Sequence, residues 1–123
     1  MSEIESQVWR SHNFRIEVVP GTEPGAIIYR FTGPFTARDM YTSLPPSEFR
    51  KIFETVPGGQ KPSAQILDLS GVLYMDSAGL GVMVTLSVSA KNKGVRMSIV
   101  GAPPRVMELF RLTKMDTVLP IEG

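Results

Sequence analysis

The stretch Asp76-Ser77-Ala78-Gly79-Leu80-Gly81 puts a carboxylate, a hydroxyl and two glycines where an apolar strand pattern gives way to a helical one. The first N–H groups of a helix have no partner within it and lie at the positive end of the helix dipole, so such a place favours an anion. Asp76 and Ser77 are both candidate caps, since either side chain carries an oxygen that can accept from a free amide of the first turn. Gly79 and Gly81 leave that turn bare and let it approach another surface. Ser77 does not read as a catalytic nucleophile. His12, the lone histidine, lies in a weakly patterned stretch, and Met75 stands where the Gly-x-Ser-x-Gly elbow has its first glycine. Gly79 and Gly81 also lack the third glycine of a dinucleotide fingerprint. The expectation is a binding site, not a catalytic one, and a protein that is not an enzyme.

The elements that must hold this site follow from hydrophobic period. The sequence has 123 residues, 42% hydrophobic and 20% charged, which suits one globular domain and excludes a wholly disordered chain. It has no cysteine, so disulfides, thiolate metal sites and cysteine nucleophiles are excluded, and one histidine cannot build a histidine-rich metal site. No metal and no cofactor are expected. A net charge of +1 gives no footprint for nucleic acid. The acidic start Met1-Ser2-Glu3-Ile4-Glu5 is unlike an export signal, and Gly79 to Val88 is too short to span a bilayer, so a cytoplasmic protein is expected.

Residues 1–13 lack a period and are read as a loose N-terminal arm, with residues 14–123 as the domain. Phe14 to Val18 alternates apolar and charged residues, and Ala26 to Thr32 is rich in β-branched and aromatic side chains, so the domain opens with a β-hairpin ending at Gly33-Pro34. A short helix, a break at Pro45-Pro46 and a longer helix come next, the latter starting near Pro46 and Ser47 with Phe49, Ile52, Phe53 and Val56 as its apolar stripe. Ala64 to Leu69 reads as a strand, Gly71 to Met75 as a loop or extended connection, and Ser77 to Asn92 as a helix burying Leu80, Met83, Val84 and Val88, stopped by Gly94. Val95 to Ile99 is a strand, about Arg105 to Lys114 a helix burying Val106, Leu109 and Phe110, and Val118 to Ile121 a short final strand. The predicted class is α/β, in the order β-β-α-β-α-β-α: a mixed sheet opened by the hairpin, with helices packed on it.

Asp-Ser-Ala-Gly-Leu-Gly at 76–81, preceded by Ile66-Leu67-Asp68-Leu69-Ser70-Gly71-Val72, resembles the signature of the STAS domain, and more narrowly that of bacterial anti-sigma-factor antagonists. The resemblance implies the STAS fold and a partner-switching role. The serine after the aspartate, Ser77, would be phosphorylated by an anti-sigma-factor serine kinase, which the unphosphorylated form sequesters, and a metal-dependent serine phosphatase would restore it. Asp76, Ala78, Gly79, Leu80 and Gly81, with Thr36 and Phe35 from the end of the second strand, would support the phosphosite and the docking surface, to which Tyr41 and Phe49 could add. The chain departs from the family at Thr36, where an aspartate is frequent, around the longer Pro45-Pro46 region, and at Lys114, where glycine is common. Two other readings stay open: a STAS scaffold module in another protein or lipid-handling complex with no phosphorylation cycle, and a nucleotide- or anion-binding module using the helix start. The basic residues Lys91, Lys93, Arg96, Arg105, Arg111 and Lys114 read as solvated surface, and Met75, Met83, Met97, Met107 and Met115 as core or interface fillers.

Overall fold

A computed structural model describes residues 7–10, 13–41, 51–53 and 61–122. Five strands form one mixed sheet in sequence order: β1 (Gln7–Arg10), β2 (Arg15–Pro20), β3 (Ala26–Phe35), β4 (Ala64–Met75) and β5 (Arg96–Val100). The first three pair antiparallel, and β4 and β5 add on parallel to β3. Helix α1 (Ala37–Tyr41) follows β3, α2 (Ser77–Lys93) links β4 to β5, and α3 (Pro104–Leu112) follows β5. Parallel neighbours need a crossover, and α2 supplies the one between β4 and β5.

Alternation decides which face of the sheet is covered. Ile16 and Val18 of β2, Tyr29 and Phe31 of β3, Leu67 of β4 and Ile99 of β5 are buried in one cluster with Met83 and Leu86 of α2 and Val106 and Phe110 of α3. The opposite face carries Arg15, Glu17, Arg30 and Thr32, and the Glu17–Arg30 ion pair at 3.6 Å lies there in water. Within the core, Gln65 Nε2 donates to the Tyr29 hydroxyl at 3.1 Å. Burial pushes the Tyr29 hydroxyl above its ordinary value, and this hydrogen bond partly offsets the rise.

Several boundaries differ from the sequence reading. The supposed loose arm contains β1, whose Gln7 to Arg10 pair with Val18 to Arg15; four residues are too few for a period to show. The second expected strand does not stop at Gly33-Pro34 but runs to Phe35, because Gly33 adopts φ +101° and passes the chain hard against Asn13, where a Cβ would lie 2.1 Å from the Asn13 carbonyl oxygen. The expected loop at Gly71 to Met75 belongs to β4. The expected final strand reduces to a single bridge between Ile99 and Ile121, because a 3₁₀ turn at Met115–Thr117 takes up the preceding chain. Lys114 enters that turn in the left-handed conformation, at φ 61°, which is the geometry that favours glycine. The expected long helix beginning near Pro46 and Ser47, with Phe49 and Val56, falls mostly outside the described residues. Residues 51–53 are helical, with Ile52 and Phe53 buried.

The helix from Ser77 also turns differently from expectation. It buries Gly79, Met83, Leu86 and Ala90, while Leu80 and Val84 are half-buried and Val88 is 51% exposed. Apolar residues occur on both sides of this helix, so its period alone could not choose the inner face. Its ends behave as read: Asp76 caps the start, and Gly94, at φ 70°, donates its N–H to the last carbonyls.

Candidate functional site

The site forms where β3 and β4 end side by side. Pro34 brings no N–H to the ladder between them, and there the register slips: Gly33 faces Val72 and Phe35 faces Met75, so Leu73 and Tyr74 together oppose one residue. An earlier slip places Leu69 and Ser70 opposite Phe31, and Asp68 Oδ1 accepts from both the Ser70 N–H and its hydroxyl, which satisfies the bulged backbone. These two extra residues carry β4 far enough to deliver Asp76 and Ser77 beside the start of α1.

Asp76 holds the two helix starts together. Its Oδ1 accepts from the N–H groups of Ala78 and Gly79, both at 3.0 Å, and its Oδ2 accepts from the N–H of Ala37, the first residue of α1, at 3.2 Å. One carboxylate therefore satisfies free amides at two helix N-termini and interacts with both dipoles. Gly79 fits under this arrangement because it has no side chain: a Cβ there would lie 2.3 Å from the Phe35 carbonyl oxygen and 2.7 Å from Met75 Cγ. Gly81 has no such constraint, with nothing within 4 Å of its Cβ position, so the expectation of close packing holds at Gly79 and fails at Gly81.

The start of α1 is braced by a network that the sequence reading missed. Thr36 Oγ1 accepts from the Asp39 N–H at 3.2 Å and donates to Asp39 Oδ2 at 2.5 Å, and Asn13 Nδ2 reaches Asp39 Oδ1 at 3.4 Å. The signal was present as Thr36-x-x-Asp39, a short form of the capping box. Thr36 and Asp39 are both buried, so the acid nearest Thr36 is turned inward.

Ser77 is exposed at the first position of α2, and along the same side of the helix Gly81, Thr85 and Val88 are exposed, with Leu80 and Val84 half-buried against the core beside them. Of the other expected site residues, Asp76, Ala78 and Leu80 are half-buried beside it. Phe35 is a correction. Its ring is fully buried and stacked on Phe14 at 5.0 Å, so it serves the core and not a docking surface; at the site its carbonyl accepts from the Asp76 N–H at 3.4 Å, and its carbonyl and ring both lie against Gly79. Phe49 lies outside the described residues. Among the described residues no group of three or more His, Asp or Glu gathers in a way that could hold a metal ion, and no helix is long and apolar enough to cross a membrane.

Comparison with known proteins agrees with this architecture. The STAS domain family model matches residues 14–123, so the chain belongs to the STAS domain family. The anti-sigma-B factor antagonists of Listeria monocytogenes and Listeria innocua are each 29% identical to it over 85 residues, covering 69% of this chain and 71% of theirs. Among solved structures, an anti-sigma factor antagonist from Mycobacterium paratuberculosis is similar with a TM-score of 0.59 at 21% identity, covering 88% of this chain and 86% of that one. A sulfate transporter family protein from Wolinella succinogenes is similar with a TM-score of 0.65 at 17% identity, covering 84% and 79%. At these identities the structures share the fold.

Proposed function

We propose that this STAS-domain protein is an anti-sigma-factor antagonist whose binding is switched by phosphorylation of Ser77. The observation that carries the reading is an exposed serine at the first position of α2, on a junction fixed by Asp76, in a chain similar to two anti-sigma-B factor antagonists. The unphosphorylated form docks an anti-sigma-factor serine kinase on the outward face of α2, from Ser77 through Leu80, Gly81, Val84 and Val88. Docking occupies the kinase and frees its sigma factor, which places the cycle in the cytoplasm. A phosphoryl group on Ser77 Oγ adds about −1.5 to −2 charges beside the Asp76 carboxylate and at the edge of an apolar face, where burial against a partner is costly. The fold has no need to change: Ser77 is exposed, and the capping bonds are made by Asp76. A metal-dependent serine phosphatase resets the switch.

Mass spectrometry of the protein from its native cells, with and without phosphatase treatment, tests the chemistry. One phosphatase-sensitive phosphoryl group on Ser77 is expected, and its absence under several growth conditions with the protein abundant would sink the proposal. Ser77→Ala should bind the kinase permanently and Ser77→Asp should bind it weakly; equal binding by the two would sink it as well.

A further inference from the structure

The slip in register opposite Pro34 does more than lengthen β4. In a regular strand successive side chains face opposite ways, so of two neighbours beside a packed core one turns inward. The extra residue between Val72 and Met75 breaks that alternation: Val72 is buried, then Leu73 and Tyr74 are both exposed, at 61% and 45%. Two adjacent large apolar side chains are thus held in water on a strand paired to β3, three and four residues before Ser77. Among the described residues no strand pairs with the β5 side of this part of β4, since β5 meets β4 from Ala64 to Asp68. Bulges beside functional sites commonly re-aim side chains in this way. Two adjacent exposed apolar side chains add little to folding, whereas tyrosine is among the residues enriched where binding energy concentrates at protein interfaces, seated in well-packed, desolvated pockets with apolar neighbours around it.

We infer that Leu73 and Tyr74 are the apolar anchor of the docking surface, inserting into an apolar pocket of the anti-sigma-factor kinase while Ser77 is presented at the rim of the same contact. The occupant follows from continuity: both residues stand on the strand that leads into the helix carrying Ser77, three and four positions before it, so the pair and the proposed partner face belong to one junction. The inference rests on the proposed switch and locates its binding energy on the strand side of Ser77, where no feature of the sequence had placed it.

The test uses the full chain in its native cells, with a photo-crosslinking amino acid at position 74, at position 81 on the outward face of α2, or at position 22 in the hairpin at the far end of the sheet. Positions 74 and 81 should each capture a protein identified by mass spectrometry as an anti-sigma-factor kinase, and position 22 should not. With that kinase purified, Leu73→Ala and Tyr74→Ala should each weaken binding about 30-fold or more. Their thermal unfolding should match the wild type, because both side chains are exposed. Capture from position 81 but not 74, or alanine variants that bind like the wild type, would overturn the anchor and leave the Ser77 switch standing. Capture of no anti-sigma factor from either position would remove the switch and the anchor with it.

Discussion

Asp76 has two oxygens and three amide donors, and the geometry gives each oxygen a separate task. Asp76→Ala removes the cap of α2 and the acceptor for Ala37 together, and should cost about 1 to 2 kcal/mol in a urea titration. Asp76→Asn keeps one oxygen acceptor and should lose less. Two glycines nearby make a sharper contrast. Gly79→Ala drives a methyl group into the Phe35 carbonyl and should destabilise by more than about 2 kcal/mol. Gly81→Ala enters open space on the same helix and should stabilise by up to about 1 kcal/mol, because alanine is the better helix former. Equal effects from the two alanines would show that Gly79 does not pack as described. Both glycines were visible in the sequence as part of one motif; their different roles depend on Phe35, which arrives from another strand.

At the scale of elements, α2 is the instructive case. Its residues predict a helix, its cap and its glycine stop, and these formed because they depend on neighbours in the chain. The buried face depends on the sheet. Met83→Ala, at a fully buried position, should cost about 2 to 5 kcal/mol, whereas Val88→Ala should stay within about 0.5 kcal/mol of the wild type. Comparable losses at both positions would mean that the helix is rotated. Leu80 and Val84 lie half-buried against the core, whereas Val88 and Gly81 leave an exposed strip beside Ser77, and it is this strip that supports the reading of α2 as a partner surface. Strands show the same division: alternation revealed β2 and β3, but β1 was too short to show a period, and the bulges of β4 hid its second half by disturbing the period.

Across the whole molecule, the sheet packs its helices against one face and leaves the other to charged pairs, so the core lies on one side. Tyr29 is buried in that core with its hydroxyl facing Gln65, and burial raises its pKa from the ordinary 10.0. A group whose folded pKa lies above its unfolded value keeps more protons folded than unfolded between the two, so stability falls as pH rises through that window. Unfolding measured by urea should therefore show stability declining above about pH 10. Tyr29→Phe should flatten part of that decline, at the cost of leaving Gln65 Nε2 without its partner. An unchanged alkaline slope in Tyr29→Phe would contradict the buried, neutral tyrosine.

The sequence by itself determined what short stretches can encode: the Asp-Ser-Ala-Gly-Leu-Gly start of a helix, its family resemblance, the alternating strands around it and the α/β order. Only the tertiary structure decided that one carboxylate ties together residues 39 positions apart, that Phe35 turns inward, and that Leu73 and Tyr74 turn outward. The reason is physical. Caps and periods are satisfied within a turn or two of chain, whereas burial and register are set by the strand or helix that happens to lie alongside, and that neighbour comes from far away in the sequence.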